Sequence, residues 1–343
     1  MTAYESVFDD LGLRSWCDAS SESNVATMAE LMTRLGQSED SLSIWNFPPP
    51  TLDSLNAACG AIPRTRDFTE AVEQGFLNIK GPLKVVLDPL TQPLSWAIDS
   101  ALYAMLAMPW WLVLFALVFL VYLAARSVRI TLFVMVSLLF LTFVDHYEVA
   151  MQTLAIIFVC TFISVLFGIP IGISMSRSDR LQRTVLPTLD LLQTLPTFVY
   201  LIPLIFLFSV TESKLYGIAI ILYAIVPVIR LTDLGIRLVD RDVLEAAEAF
   251  GMSSRQKLFG VQIPLAMPTI MAGVNQTIMM SLAMVVVASL VSAPGLGTLV
   301  LRGINRLELG VGLVAGLGIV LLAIMIDRVS AATLQRSNKA LPE

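Results

Sequence analysis

The feature that most constrains this chain is the stretch 265–301, which has no charged side chain. Stretches nearly as apolar recur along the chain, which is 56% hydrophobic and 14% charged, whereas about 25% of the residues of soluble domains are charged. A helix crosses the hydrocarbon core of a bilayer with about 20 predominantly apolar residues. The sequence therefore predicts an all-α integral membrane protein.

By this length criterion we predict about seven transmembrane helices, near residues 109–125, 129–144, 149–175, 185–209, 216–229, 265–290 and 311–327. Turn signals at 292–297 indicate a helix end, followed by an apolar re-entrant or surface segment. From position 126 onward, 13 of 16 Lys and Arg residues fall in loops of one side, and such loops stay in the cytoplasm. We therefore expect the N-terminus outside and the C-terminus inside, in a bacterial plasma (inner) membrane.

Five segments follow from this pattern. Residues 1–67 form an acidic, weakly ordered extracytoplasmic tail, and residues 68–108 an amphipathic interfacial segment of short helices. Residues 109–144 are two peripheral transmembrane helices, and Trp110 and Trp111 at their start suit an interfacial anchor. Residues 145–330 form the core, with a cytoplasmic loop at 230–264, and residues 331–343 a C-terminal tail.

The chain offers little basis for metal or thiol chemistry. Its single histidine, His146, has no ligand-spaced partner, and its three cysteines form no Cys-x-x-Cys pair. A Cys17–Cys59 disulfide would require an oxidising compartment, and two unrelated thiols are the favoured interpretation. The net charge of −5 arises from the acidic tail, so the composition gives no reason to expect nucleic acid as a partner.

The loop at 230–264 has strong local structure signals. Residues 242–250 favour a helix, and Gly251 stands where a helix would end in the left-handed conformation. Ser253 and Gln256 form a capping box for a second short helix, which we expect to stop at about Gln262, before Ile263-Pro264. The first helix is expected to expose three small side chains, Ala246, Ala247 and Ala249, between Glu245 and Glu248. Small side chains permit close approach, so the loop reads as a docking element rather than as a plain connection.

The spacing of this loop resembles a known motif. Glu245-Ala-Ala, Gly251 and Val261-Gln-Ile-Pro264 match the EAA motif of importer permeases of the ATP-binding cassette class, and depart from it only in Val261 and Ile263. Residues 191–203, 262–277 and 301–306 resemble the permease of glycine betaine and proline betaine uptake systems. We judge this resemblance to cover about residues 80–330, and residues 1–60 match nothing that we can align.

The resemblance implies a type I importer-like permease with several partners. Its coupling residues would be Glu245, Ala246, Ala247, Gly251, Val261, Ile263 and Pro264. They would seat in a cytoplasmic ATPase present in two copies, and the permease would pair with a second copy of itself. A separate extracytoplasmic binding protein would recognise the substrate.

The residues themselves provide no energy source for transport. No Gly-x-x-x-x-Gly-Lys-Ser/Thr motif occurs, so ATP and Mg are expected on a partner chain and no cofactor on this one. Transport driven by protons or sodium would place ionisable groups inside the bundle, and the one that we identify there is Asp190, near a cytoplasmic helix end. A secondary transporter is thus the weaker hypothesis, and we expect a transporter subunit that is not itself an enzyme.

Uncharged polar residues within the spans are candidates for the translocation path. They are Gln193, Tyr200, Asn275, Gln276, Thr277 and Ser281, and interhelical hydrogen bonds are the alternative role for them. Gly168, Pro170 and Gly172 suit either a hinge or close packing. We expect ATP-driven import of a betaine-like quaternary ammonium osmolyte (glycine betaine, proline betaine, choline or trimethylamine N-oxide class). The alternatives are a permease for another small solute, such as an amino acid, and a non-transporting osmosensing or scaffold subunit.

Overall fold

A computed structural model describes residues 4–18 and 49–339, and every regular element in these ranges is a helix. The side chains of 334–339 lie outside the description, as do residues 19–48 and 340–343 of the predicted tails. The α-helices, numbered in chain order, are α1 Glu5–Asp10, α2 Arg14–Asp18, α3 Leu52–Ala58, α4 Thr65–Ala107, α5 Trp110–Ala125, α6 Val128–Phe143, α7 Tyr147–Ser176, α8 Asp179–Thr194, α9 Thr197–Leu207, α10 Ser213–Arg237, α11 Arg241–Ala249, α12 Ser254–Lys257, α13 Ile263–Ala288, α14 Leu296–Arg306 and α15 Leu309–Lys339.

The chain divides into two compact units, Met1–Leu83 and Lys84–Glu343. In the first unit, three short helices occupy parts of the tail for which composition predicts weak order. A disulfide joins Cys17 to Cys59, so the interpretation of these residues as unrelated thiols is wrong. Sequence spacing could not reveal this bond, because the two cysteines are 42 positions apart and meet only through folding.

Four helical stretches are long and apolar enough to span a membrane. They are α7 (Tyr147–Ser176), α10 (Ser213–Arg237), the stretch Ser254–Val291 that contains α12 and α13, and the part Leu309–Thr333 of α15. The number rises to six if the bent pairs α4–α5 and α8–α9 each count as one span, and α6 is a shorter apolar helix. The expected single span 185–209 is therefore wrong in form, since α8 and α9 meet at 96°. Pro196 explains this break, because a proline disfavours helical backbone at the residue before it, and Leu195 is extended.

Helix α10 forms the centre of the second unit and packs along both α7 and α13. The most apolar stretch of α10 is 61% buried, against 22% for α15, which makes α15 a peripheral helix. Gly168 and Gly172 on α7 allow the close approach, because a Cβ at Gly168 would lie 2.4 Å from the Val228 side chain of α10. The helix α7 runs through Pro170 without interruption. Close packing of the Gly-x-x-x-Gly type therefore accounts for these glycines.

The segment predicted as short interfacial helices is one continuous helix, α4, of 43 residues. Within the second unit its later part packs on the core, where Ile98 is fully buried. Lys214, at the start of α10 and 4% exposed, forms ion pairs with Asp88 of α4 (2.7 Å) and with Glu212 (2.9 Å). A buried lysine is tolerated when it is paired, so these contacts fasten the part of α4 that belongs to the second unit to the bundle.

Candidate functional site

The loop after α10 has the predicted helix, glycine turn and helix. Asp240 caps α11 by accepting a hydrogen bond from the backbone N–H of Asp242 at 3.0 Å. Helix α11 ends at Ala249, and Gly251, two residues later, has a φ of +76°, which is in the left-handed region. Ser253 and Gln256 then form the predicted capping box at the start of α12. Local sequence signals therefore determine the shape of this loop, which we call the coupling loop (residues 238–262).

A small apolar cluster anchors the coupling loop to the bundle. Leu258 of the loop is 2% exposed and packs with Ile236 of α10 and Ala266 and Ile270 of α13, while Leu244 of α11 packs against the same cluster. Ala247 lies on this inner face and is 6% exposed, so the expectation that it faces outward is wrong. Leu244 and Ala247 are three positions apart, and a helix places such residues on the same face.

The outer surface of the loop carries both charged and apolar side chains. Glu245, Ala246 and Ala249 are exposed there. Two aromatic side chains that the sequence analysis missed are more prominent, since Phe250 is 86% exposed and Phe259 is 61% exposed. Exposed aromatic side chains next to charged groups are typical of interaction surfaces. The sequence did contain a signal for this surface, namely two phenylalanines in a loop that was predicted to lie in water.

The second helix of the loop does not stop before Pro264 as predicted. Leu258–Gln262 forms a π-helical turn that continues into α13, with Ile263 and Pro264 as its first residues. A proline lacks the N–H that an α-helix would use, and a π turn shifts the hydrogen-bond register by one residue. Val261, Ile263 and Pro264 are therefore part of a continuous rod from the coupling loop into α13.

A polar network at the base of the coupling loop was also missed by the sequence analysis. Arg237, in the last turn of α10, donates to Asp233 at 2.9 Å, to Asp179 of α8 at 2.7 Å and to the carbonyl of Met175 at 2.8 Å. Gln182 of α8 donates to the other Asp233 oxygen at 2.6 Å. The carboxylate of Asp233 is 6% exposed, so these donors compensate a buried charge. The network connects α7, α8 and α10 just before α11 begins.

Two of the six path candidates lie against sulfur atoms of α13. The amide of Gln193 is 3.8 Å from Sδ of Met280, and the hydroxyl of Tyr200 is 3.7 Å from Sδ of Met284. Both side chains are partly buried. Because the two methionines are four residues apart, they lie on one face of α13. Asp190, by contrast, is an exposed carboxylate paired with Arg230 of α10.

The other four candidates lie on α13 and face different directions. Thr277 and Ser281 are fully buried, and Ser281 accepts a hydrogen bond from Thr161 of α7 at 3.1 Å. Among the described residues the Thr277 hydroxyl has no hydrogen-bond partner. Gln276 is exposed, and the amide of Asn275 lies 3.5 Å from Asp327 of α15. Asp327 ends a predicted span and was overlooked as an intramembrane carboxylate. One copy of the chain thus does not bring the six residues into one cluster, and their role in the path stays a prediction.

Known proteins similar to this chain are membrane components of transport systems. The family model described as "Binding-protein-dependent transport system inner membrane component" matches residues 164–338. The glycine betaine/proline betaine transport system permease protein ProW of Escherichia coli (strain K12) is 48% identical over 199 residues, which are 58% of this chain and 56% of ProW. The glycine betaine transport system permease protein OpuAB of Bacillus subtilis is 45% identical, over 59% of this chain and 71% of OpuAB.

A longer match is the glycine betaine/carnitine transport permease protein GbuB of Listeria monocytogenes, 36% identical over 76% of this chain and 89% of GbuB. The chain spans about half, 56%, of the length of ProW. An inward-facing structure of the MetNI methionine ABC transporter covers 56% of this chain and 95% of its own, with a TM-score of 0.50 and 20% identity. At that identity the likeness concerns the fold alone.

Proposed function

The chain belongs to the family of binding-protein-dependent transport system inner membrane components, and on this premise we propose that it is the permease of an ATP-driven importer for a betaine-like quaternary ammonium osmolyte. Such a component is a multi-pass protein of the inner membrane, in keeping with the long apolar helices. The proposal includes a cytoplasmic ATPase in two copies that binds ATP and Mg, and a second copy of this chain.

The coupling loop carries this proposal. It presents Glu245, Phe250 and Phe259 on an outer surface, while its inner face is fixed by Leu258 to α10 and α13. A loop whose inner face is fixed to the bundle and whose outer face is exposed can transmit force from a docked protein to α10 and α13. Since the chain has no phosphate-binding Gly-Lys motif, the docked protein is the source of ATP hydrolysis. Closure of the two ATPases would pull on the loops and rock the two permease copies as rigid bodies.

The substrate class rests on the relatives. ProW is named for glycine betaine and proline betaine, and GbuB for glycine betaine and carnitine. All three compounds carry a quaternary ammonium group and a carboxylate. Trp is the best partner for such a cation, and each of the five tryptophans lies at or before position 111, outside the core helices. High-affinity recognition therefore belongs to a separate extracytoplasmic binding protein, and this chain offers a weak passage site near Gln193 and Tyr200.

The test is uptake of labelled glycine betaine into proteoliposomes that hold the chain with its ATPase, with binding protein outside and ATP inside. We expect ATP-dependent uptake, and the strongest competitor among carnitine, choline, proline betaine and trimethylamine N-oxide identifies the preferred substrate. Hydrolysis of ATP without uptake of any of these compounds would contradict the betaine proposal. It would favour another solute, such as an amino acid, or an osmosensing or scaffold subunit that holds an ATPase without transport.

A further inference from the structure

A groove of about 280 Å³ lies between α6 and α15, and none of its lining residues belongs to the coupling loop. We call it the arginine groove, and its lining residues are Arg129, Ile130, Phe133, Ile324 and Arg328. Both arginines are exposed, and no carboxylate lies within ion-pair distance of either among the side chains that the structure describes. The nearest carboxylate in sequence, Asp327, faces Asn275 of α13 instead. Two cationic groups from different helices are thus available to one ligand.

The groove changes in character along its length. Arg129 lies at the start of α6 and Phe133 one turn further along, while Arg328 lies one turn beyond Ile324 on α15. One helical turn corresponds to about 5.4 Å. The predicted topology places both arginines at the same membrane surface, so that Phe133 and Ile324 lie deeper in the hydrocarbon region. The groove is therefore cationic at the surface and apolar beneath it.

We propose that the arginine groove binds an anionic phospholipid, with the phosphate between Arg129 and Arg328 and an acyl chain along Phe133 and Ile324. Charge complementarity favours a lipid with net negative charge over a zwitterionic lipid, because a zwitterionic headgroup would bring its own cation next to the arginines. Basic pockets between transmembrane helices at the cytoplasmic side are known to hold anionic headgroups. The apolar side chains of Phe133 and Ile324 favour a lipid over a soluble anion, because a soluble anion would leave them uncovered.

The proposal is tested by titrating the intact transporter, purified with its ATPase in detergent, with phosphatidylglycerol and counting bound lipids by native mass spectrometry. We expect one tightly held lipid per permease chain. The double variant Arg129→Gln/Arg328→Gln should weaken it about 30-fold, since each arginine near the surface contributes about 1 kcal/mol. Arg328→Gln alone should weaken it about fivefold, which keeps the test valid if the double variant folds poorly. The matched control is Arg180→Gln/Arg183→Gln, which removes the same charge from exposed positions of α8.

Three results would each overturn the proposal. Equal weakening in the control would mean that only the general surface charge attracts the lipid. Displacement of the lipid by excess glycerol 3-phosphate would mean a site for soluble anions. Equal retention of phosphatidylcholine would mean that charge plays no part. Because the measurement reads lipid binding and not uptake, its failure is distinct from a failure of the proposed transport function.

Discussion

Replacing Arg237 by glutamine tests whether the polar network at the base of the coupling loop holds that loop in place. The change removes three hydrogen bonds, to Asp233, Asp179 and the Met175 carbonyl, and leaves the buried Asp233 carboxylate with Gln182 as its remaining donor. Removing one partner of a buried ion pair costs about 3–5 kcal/mol. Because the Arg237 side chain is 29% exposed, we expect the lower end, about 3 kcal/mol.

The control for this change is Arg230→Gln, on the same helix. Arg230 pairs with Asp190, whose side chain is 60% exposed, and exposed pairs contribute about 0–1 kcal/mol. A second comparison is Asp233→Asn/Arg237→Gln, which leaves no buried charge and should recover part of the lost stability. The assay is thermal unfolding of the detergent-solubilised transporter, together with the ratio of uptake to ATP hydrolysis. We expect Arg237→Gln to lower both quantities and Arg230→Gln to change neither strongly.

The reasoning is refuted if Arg237→Gln and Arg230→Gln unfold at the same temperature, or if the double variant is no more stable than Arg237→Gln. A fall in stability with an unchanged ratio of uptake to hydrolysis would limit the network to a structural role. In that case the contacts among α7, α8 and α10 would stabilise the bundle without transmitting movement from the coupling loop.

Three further predictions concern other parts of the chain. Gly251→Asp should abolish uptake while the protein stays in the membrane. Gly251→Asn, whose side chain has the shape of aspartate but no charge, should retain part of the uptake. Equal loss of uptake in both variants would mean that strain in the left-handed backbone, not a charge on the docking surface, causes the loss. Phe250→Ala should weaken ATPase binding about 30-fold, as hot-spot aromatics do, whereas Leu307→Ala, equally exposed but outside the loop, should not change the binding constant measured by titration. Thiol labelling of the denatured chain should modify one cysteine, Cys160, before reduction and three after it, and three labels without reduction would exclude the disulfide.

The coupling loop shows which features local sequence can predict. The capping box at Ser253, the left-handed Gly251 and the helix before it depend on contacts within a few residues, and the structure has all three. The stop expected at Pro264 was wrong, because the rule that proline ends a helix takes no account of a π turn that accommodates it. The burial of Ala247 was also missed, since it depends on which face of α11 meets Leu258.

The sequence by itself determined that the chain forms apolar helices, where most of them begin and end, and that it contains no phosphate-binding Gly-Lys motif. Apolar length, turn residues and the lack of a phosphate-binding motif are all local properties. Only the tertiary structure decided that Cys17 bonds to Cys59 and that Arg237 joins three helices. These features depend on residues tens of positions apart, and their free energy is gained only when the packed helices bring the groups together and remove water from them.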